Sequence, residues 1–226
     1  MNPGDAVSKS KFSPLDADLE KRVSDWLENY VNAPHPDLGR DGPICPFIEP
    51  ALRADSLFTV SRDWEGAYTL EAMVTAIEEA QDHFRSIDWP SRNTTLHGLV
   101  VVFGNLPRAG WWLIDEGHRA AKDAAVARGL MLGQFHPECE APAARNPLFP
   151  VNRSPYPMIA IRNMAFHDIL FLHDNPDWFE QYRKRYDRYY SATARIDPRF
   201  TALFEEAVAA SRSGQAAHQE TAEHHG

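Results

Sequence analysis

The run Gly133-Gln134-Phe135-His136-Pro137 places an imidazole at the end of the apolar stretch from Gly129 to Phe135, with a proline directly behind it. Proline ends strand pairing, so this order aims His136 out of the sheet, where a ring nitrogen can hold a metal or a haem iron, or act as a base. A plain hydrogen bond from the ring to the following loop fits the same pattern. Cys139 follows three residues on, and His-x-x-Cys is a spacing at which two side chains reach one zinc ion. No second pair such as Cys-x-x-Cys occurs, so a complete structural zinc site is not encoded. Cys45, in Gly-Pro-Ile-Cys-Pro-Phe, is a candidate thiolate ligand or nucleophile, or else a small buried apolar group, the commonest fate of a free cysteine. His167 and Asp168 follow a strand and open a short apolar helix. Asp168 suits that helix start, and His167 gains a chemical role if the fold carries it to His136. Arg145, Arg153 and Arg162 lie in or beside a long Pro-rich stretch; a planar guanidinium suits carboxylates, and surface ion pairs look the same in sequence.

Elements must hold these groups. Leu19, Val23, Trp26, Leu27 and Tyr30 recur at helical spacing from Leu15 and stop before Pro34. Residues 32–49 hold four prolines and two glycines and read as a loop. A strand over 57–62, a helix over 68–84 and a strand over 96–103 follow, the last a contiguous apolar run of the kind buried on both faces. Residues 111–128 read as a helix that stops at Gly129, leading directly into a strand over 130–135. Beyond the Pro-rich passage 137–157 come a short strand at 158–162, a short helix or turn at 167–172, and helices over 177–190 and 198–211. This order predicts an α/β (α+β) layer structure, a small three- to four-stranded sheet packed with helices. A loop as long as 137–157 is functional or disordered; Leu148, Phe149 and Tyr156 as apolar anchors make it a pocket wall.

The chain has 226 residues, 43% of them apolar and 11% aromatic, enough for one core. Residues 14–212 read as a single globular domain, between polar disordered tails at 1–13 and 213–226. A net charge of −9 removes the basic footprint that a nucleic-acid partner needs. Neither an eighteen-residue apolar run nor an apolar N-terminal core occurs, so the expectation is a cytoplasmic protein without a membrane partner. A reducing compartment argues against pairing Cys45 with Cys139. Gly-Asn-Leu-Pro-Arg-Ala-Gly at 104–110 lacks the Gly-Lys-Ser/Thr ending of a nucleotide cradle.

Gly-Pro-Ile-Cys-Pro-Phe-Ile around Cys45, then Gln134-Phe135-His136-Pro137, Pro142-Ala143-Ala144-Arg145 and finally Phe166-His167 form a series that resembles the YqcI/YcgG-type proteins. In that family a Pro-Cys motif precedes a Gly-Leu-His-Pro motif, an arginine-rich link and an Asn-Pro-His segment. The chain departs from it at Glu140-Ala141, where the family has Ser-Arg, and at Ala165-Phe166, where it has Asn-Pro. Some members are haem-dependent oxygenases that hydroxylate a nitrogen of an amino acid in specialised, natural-product metabolism. The resemblance therefore implies a monooxygenase holding the iron of haem b through His136, with dioxygen or peroxide as co-substrate. His167 would be the distal catalytic group, Arg145 or Arg162 would hold a propionate or the substrate carboxylate, and Cys45 would be a further cofactor-binding residue. Its partners would be a small-molecule substrate, an external reductase and a second copy in a homodimer. The alternatives are a non-catalytic haem or small-molecule binding module and a zinc or cysteine hydrolase, the latter lacking an identifiable orienting acid.

Overall fold

The computed structural model describes residues 11–190 and 196–223, with side chains through 212. The protein is α+β. Helices α1 (Ala17–Trp26), α2 (Ile48–Arg53), α3 (Leu70–Ser86), α4 (Trp112–Ala127), α5 (Ile169–Leu172), α6 (Pro176–Tyr190) and α7 (Pro198–Glu223) accompany a sheet of β1 (Leu57–Ser61), β2 (Gly98–Val102), β3 (Leu130–Phe135) and β6 (Met158–Asn163). Strand order is β1-β2-β6-β3, and β4 (Pro142–Ala143) and β5 (Asn146–Pro150) form a separate two-stranded hairpin. No helix among the described residues is long and apolar enough to cross a membrane.

Contacts group the described residues into two compact units: one runs up to Ala121 and resumes over Leu132–Arg162, the other takes Lys122–Met131 and the residues from Asn163 onward. In the first unit β1 and β2 pair in parallel, Leu57 to Ser61 against Gly98 to Val102, and β6 runs antiparallel to β2. The apolar run of β2 is buried on both faces, as its composition requires. Val100 and Val102, with Met158, meet Val23, Leu27 and Val31 from α1 and the wide π turn Leu27–Val31 that extends it. The Asp16 carboxylate starts α1 by accepting from the Asp18 and Leu19 amides. Period-two alternation turns Leu99 and Val101 to the other face, where α3 lies against β2. Gly117 of α4 packs on Met73 and Ile77 of α3.

Residues 11–13, expected in a loose tail, belong to the fold. Ser13 and Ser61 exchange backbone hydrogen bonds of 3.0 and 2.8 Å, and Lys11 reaches Glu79 at 2.6 Å. The outer side of β1 is a sheet edge whose backbone groups need partners, and this segment supplies them. Residues 1–10 of that expected tail lie outside the described residues. The Pro-rich passage 137–157 is structured by the β4–β5 hairpin. Phe149 stacks on His35 at 4.3 Å between ring centroids, and Tyr156 packs against the α1 core. Leu148 corrects the expectation of an apolar anchor: at 89% exposure it anchors nothing. It sits in a two-stranded hairpin too small to bury both of its faces.

The second unit gathers Val126, Met131, Ile169, Leu172, Phe179, Tyr182, Phe200 and Phe204 into its own core. The Tyr182 hydroxyl donates to Phe166 O at 2.7 Å and meets the Tyr190 hydroxyl at 2.8 Å. Gly129 ends α4 at φ +75, a left-handed conformation that favours glycine. Helix α7 continues through Glu223, into the stretch read as a C-terminal tail; Ala, Glu and Gln recur there and favour helix. Residues 224–226 lie outside the described residues.

Candidate metal centre

Two elements of the first unit and the turn between β3 and the hairpin converge on His136. The first turn of α4 carries Asp115, the residue after β3 is His136, and the turn beyond it brings back Cys139, whose amide donates to His136 O at 3.0 Å. His136 Nε2 lies 2.8 Å from Asp115 Oδ2, and the Glu138 amide donates to Nδ1 at 3.3 Å. A backbone N–H can only donate, so Nδ1 is the acceptor. The ring proton therefore sits on Nε2, facing the carboxylate. The Cys139 thiol donates to the other carboxylate oxygen, Oδ1, at 3.7 Å. The ligating atoms of Asp115, His136 and Cys139 all fall within 4.8 Å of one another.

Cys139 is fully buried and His136 is 5% exposed, whereas the Asp115 side chain is 42% exposed. The cluster thus opens to solvent on the carboxylate's side. Burial pushes the Cys139 thiol up to about 11, and the nearby Asp115 carboxylate adds to the rise. The Trp111 ring stands 6.1 Å from the imidazole between centroids. Arg108 pairs with Glu138 at 2.5 Å and steadies the turn from outside.

His136 does leave the strand end, but into packed protein. His136 and Arg153 form an isolated parallel bridge, and His136 O also takes the Ser154 amide at 3.4 Å. The residues present do not fit a porphyrin. Both ring nitrogens are hydrogen-bonded and the ring is almost wholly covered. Cavities of about 330 and 170 Å³ are lined by other residues, none of them from the Pro-rich passage expected to wall a pocket.

The remaining sequence candidates lie elsewhere. Cys45 packs beside Val31 and Ile48, its amide donates to Val31 O at 2.9 Å, and burial raises its thiol against the opposing pull of Arg162 and Arg40. It is a half-buried group packed against the α1 core. Arg162 lies over the Phe47 ring at 4.6 Å, and Arg145 is exposed, its Cβ close to Gly39. His167 belongs to the second unit, where its ring meets the Phe200 edge at 5.4 Å. Asp168 caps the turn there by accepting from the Ala165 amide at 2.7 Å. The residue that sequence reasoning missed is Asp115. An acid in the first turn of a helix reads as a partner of the helix dipole, and no spacing rule ties it to a histidine on another element.

Comparison with known proteins returns one result. No curated protein and no solved structure matches the chain. The family described as Domain of unknown function (DUF6875) matches residues 20–197. That span runs from within α1 through α6 and takes in the whole Asp115–His136–Cys139 cluster, and the chain therefore belongs to the DUF6875 family.

Proposed function

We propose that Asp115, His136 and Cys139 form a mononuclear zinc centre, and that the protein is a zinc-dependent enzyme of hydrolytic type acting on a small substrate. The observation that carries this reading is the convergence of a carboxylate, an imidazole and a thiol within 4.8 Å. Three protein ligands leave one position of a tetrahedral zinc site open, the pattern of catalytic rather than structural centres. Asp115 supplies the solvent-facing side from which a substrate would arrive. A bound zinc ion would supply a Lewis acid that polarises a carbonyl or activates water.

The chain's own residues must then change partners. To hold the ion, Cys139 would release its thiol proton to solvent, the His136 ring proton would pass from Nε2 to Nδ1, and Asp115 would turn an oxygen away from the ring. The Glu138 amide loses its acceptor in the exchange, a cost of about 1 kcal/mol that the metal bonds far exceed. A second reading has its own support. The three side chains already satisfy one another, and His136 O takes two amides, which makes the cluster a metal-free clamp on the turn.

Elemental analysis of the full chain from zinc-supplemented cells separates the two. The zinc reading expects about one equivalent per chain, lost in both His136→Gln and Cys139→Ser, and a thiolate-to-cobalt absorption band after cobalt replacement. A metal content that is negligible in the native chain, or unchanged in both variants, leaves the clamp and sinks the enzyme assignment.

A further inference from the structure

Backbone pairing sets Arg153 beside the proposed zinc ligand His136. The two residues stand opposite each other in an isolated parallel bridge, and His136 O takes the amide of the next residue, Ser154, at 3.4 Å. Residues opposed across a bridge carry their side chains on the same face, so Arg153 leaves the backbone on the side from which the imidazole reaches Asp115. The imidazole is buried and Arg153 is exposed; the longer side chain therefore runs past the ring toward the solvent. Its base is held, because Trp26 Nε1 donates to Arg153 O at 2.9 Å and the Trp26 ring meets Phe135 edge-on at 5.3 Å.

The charge at its tip reaches the cluster and has no partner. Burial raises the Cys139 thiol and the Tyr30 hydroxyl, and Arg153 pulls both the other way. The Tyr30 hydroxyl donates to Val151 O at 3.0 Å and, as a neutral phenol, offers no counter-charge. Among the described residues no carboxylate lies within ion-pair distance of Arg153: Glu138 is spent on Arg108, and Asp115 faces His136. A zinc ion bound by the Asp115 carboxylate and a Cys139 thiolate is electrically balanced, so Arg153 tips the surroundings of the ion to positive. Such a place favours an anion. A planar guanidinium forks onto a carboxylate through two N–H donors, which fixes its orientation as well as its position.

We propose that Arg153 holds a free carboxylate of the substrate while the bond to be cleaved lies at the metal centre. The substrate class is then a small acid with a hydrolysable carbonyl a few bonds away from its carboxylate. This rests on the zinc reading, in which Arg153 is a specificity residue and not a ligand.

The test uses the full chain loaded with cobalt and three probes that bind metals through a hydroxamate. Acetohydroxamate has no carboxylate; the monohydroxamates of malonic and succinic acid carry one. Binding is read as the change each causes in the cobalt absorption bands, and needs no turnover. At least one of the two acids is expected to bind about tenfold more tightly than acetohydroxamate. Arg153→Gln should still take up cobalt yet lose most of that advantage, and Arg153→Lys, which keeps the charge without the fork, should retain part of it. A chain without cobalt bands, or with bands that no probe shifts, refutes the zinc-enzyme reading and the inference together. Bands that answer to acetohydroxamate, with neither acid favoured in the native chain or with the advantage intact in Arg153→Gln, refute the inference alone.

Discussion

Replacing Gly117 with alanine sets two effects of opposite sign against each other on the helix that carries Asp115. Gly117 is buried in the middle of α4. A Cβ there would stand 2.4 Å from Met73 Cγ, 3.1 Å from Ile77 Cδ1 and 3.3 Å from Met73 Cβ. Alanine in a helix interior is favoured over glycine by about 1 kcal/mol. Met73 is fully buried and the atom it would present lies mid-chain, so either α3 and α4 part or Met73 leaves its rotamer. Overpacking of this kind costs about 1–3 kcal/mol, and a contact this short belongs in the middle of that range. The expected net loss is about 1 kcal/mol, read as a lower urea midpoint at constant slope. Met73→Ala alone should cost about 2–5 kcal/mol while clearing the space. In that background Gly117→Ala should become stabilising by about 1 kcal/mol, a coupling of about 2 kcal/mol between the two sites. A single Gly117→Ala variant that is more stable than the native chain by the full helix gain would refute the α3–α4 apposition, and with it the placement of Asp115.

Two further outcomes are expected. Tyr182→Phe leaves Phe166 O without its 2.7 Å donor and removes the partner of the Tyr190 hydroxyl, so urea unfolding should show a loss of about 1–3 kcal/mol; a change no larger than that of an exposed tyrosine would contradict the buried network. Burial raises the Glu79 carboxyl, but hydrogen bonds from Lys11 and Arg62 more than reverse this and hold it below the usual carboxylate range. A depressed folded value means stability that is present at neutral pH and disappears as pH falls past the ordinary glutamate range and through that lowered value. A stability–pH profile should therefore lose part of its acid limb in Glu79→Gln, and an unchanged limb would show that the pair contributes nothing.

What was legible in sequence follows from how local each signal is. The contiguous run Leu99 to Phe103 predicts a doubly buried strand; all five residues are buried, and Leu99 to Val102 lie in β2. Gly129 after an Ala-rich helix marks a left-handed end, and its φ of +75 bears that out. Helix α2 escaped because six residues, with Pro50 among them, carry too little periodicity to register. The β4–β5 hairpin escaped because prolines at Pro142 and Pro150 stand within its strands and read as breakers. At the cluster, His136 and Cys139 announce themselves through spacing, whereas Asp115 joins them only through tertiary packing. The place of Arg153 was equally hidden, since the bridge that sets it opposite His136 is a property of the folded chain alone.

The antiparallel pairing of β2 with β6 joins Val102 to Met158 and Gly98 to Arg162, enclosing α4, β3 and the hairpin in one long loop. Closing such a loop is entropically costly and slow, while β1, α3 and β2 can assemble from nearer neighbours. The turn that holds Cys139 lies inside that loop. Until the Asp115 carboxylate and the Gln134 carbonyl close around it, Cys139 is an open thiol, and tertiary packing is what turns a vulnerable sulfur into a protected one.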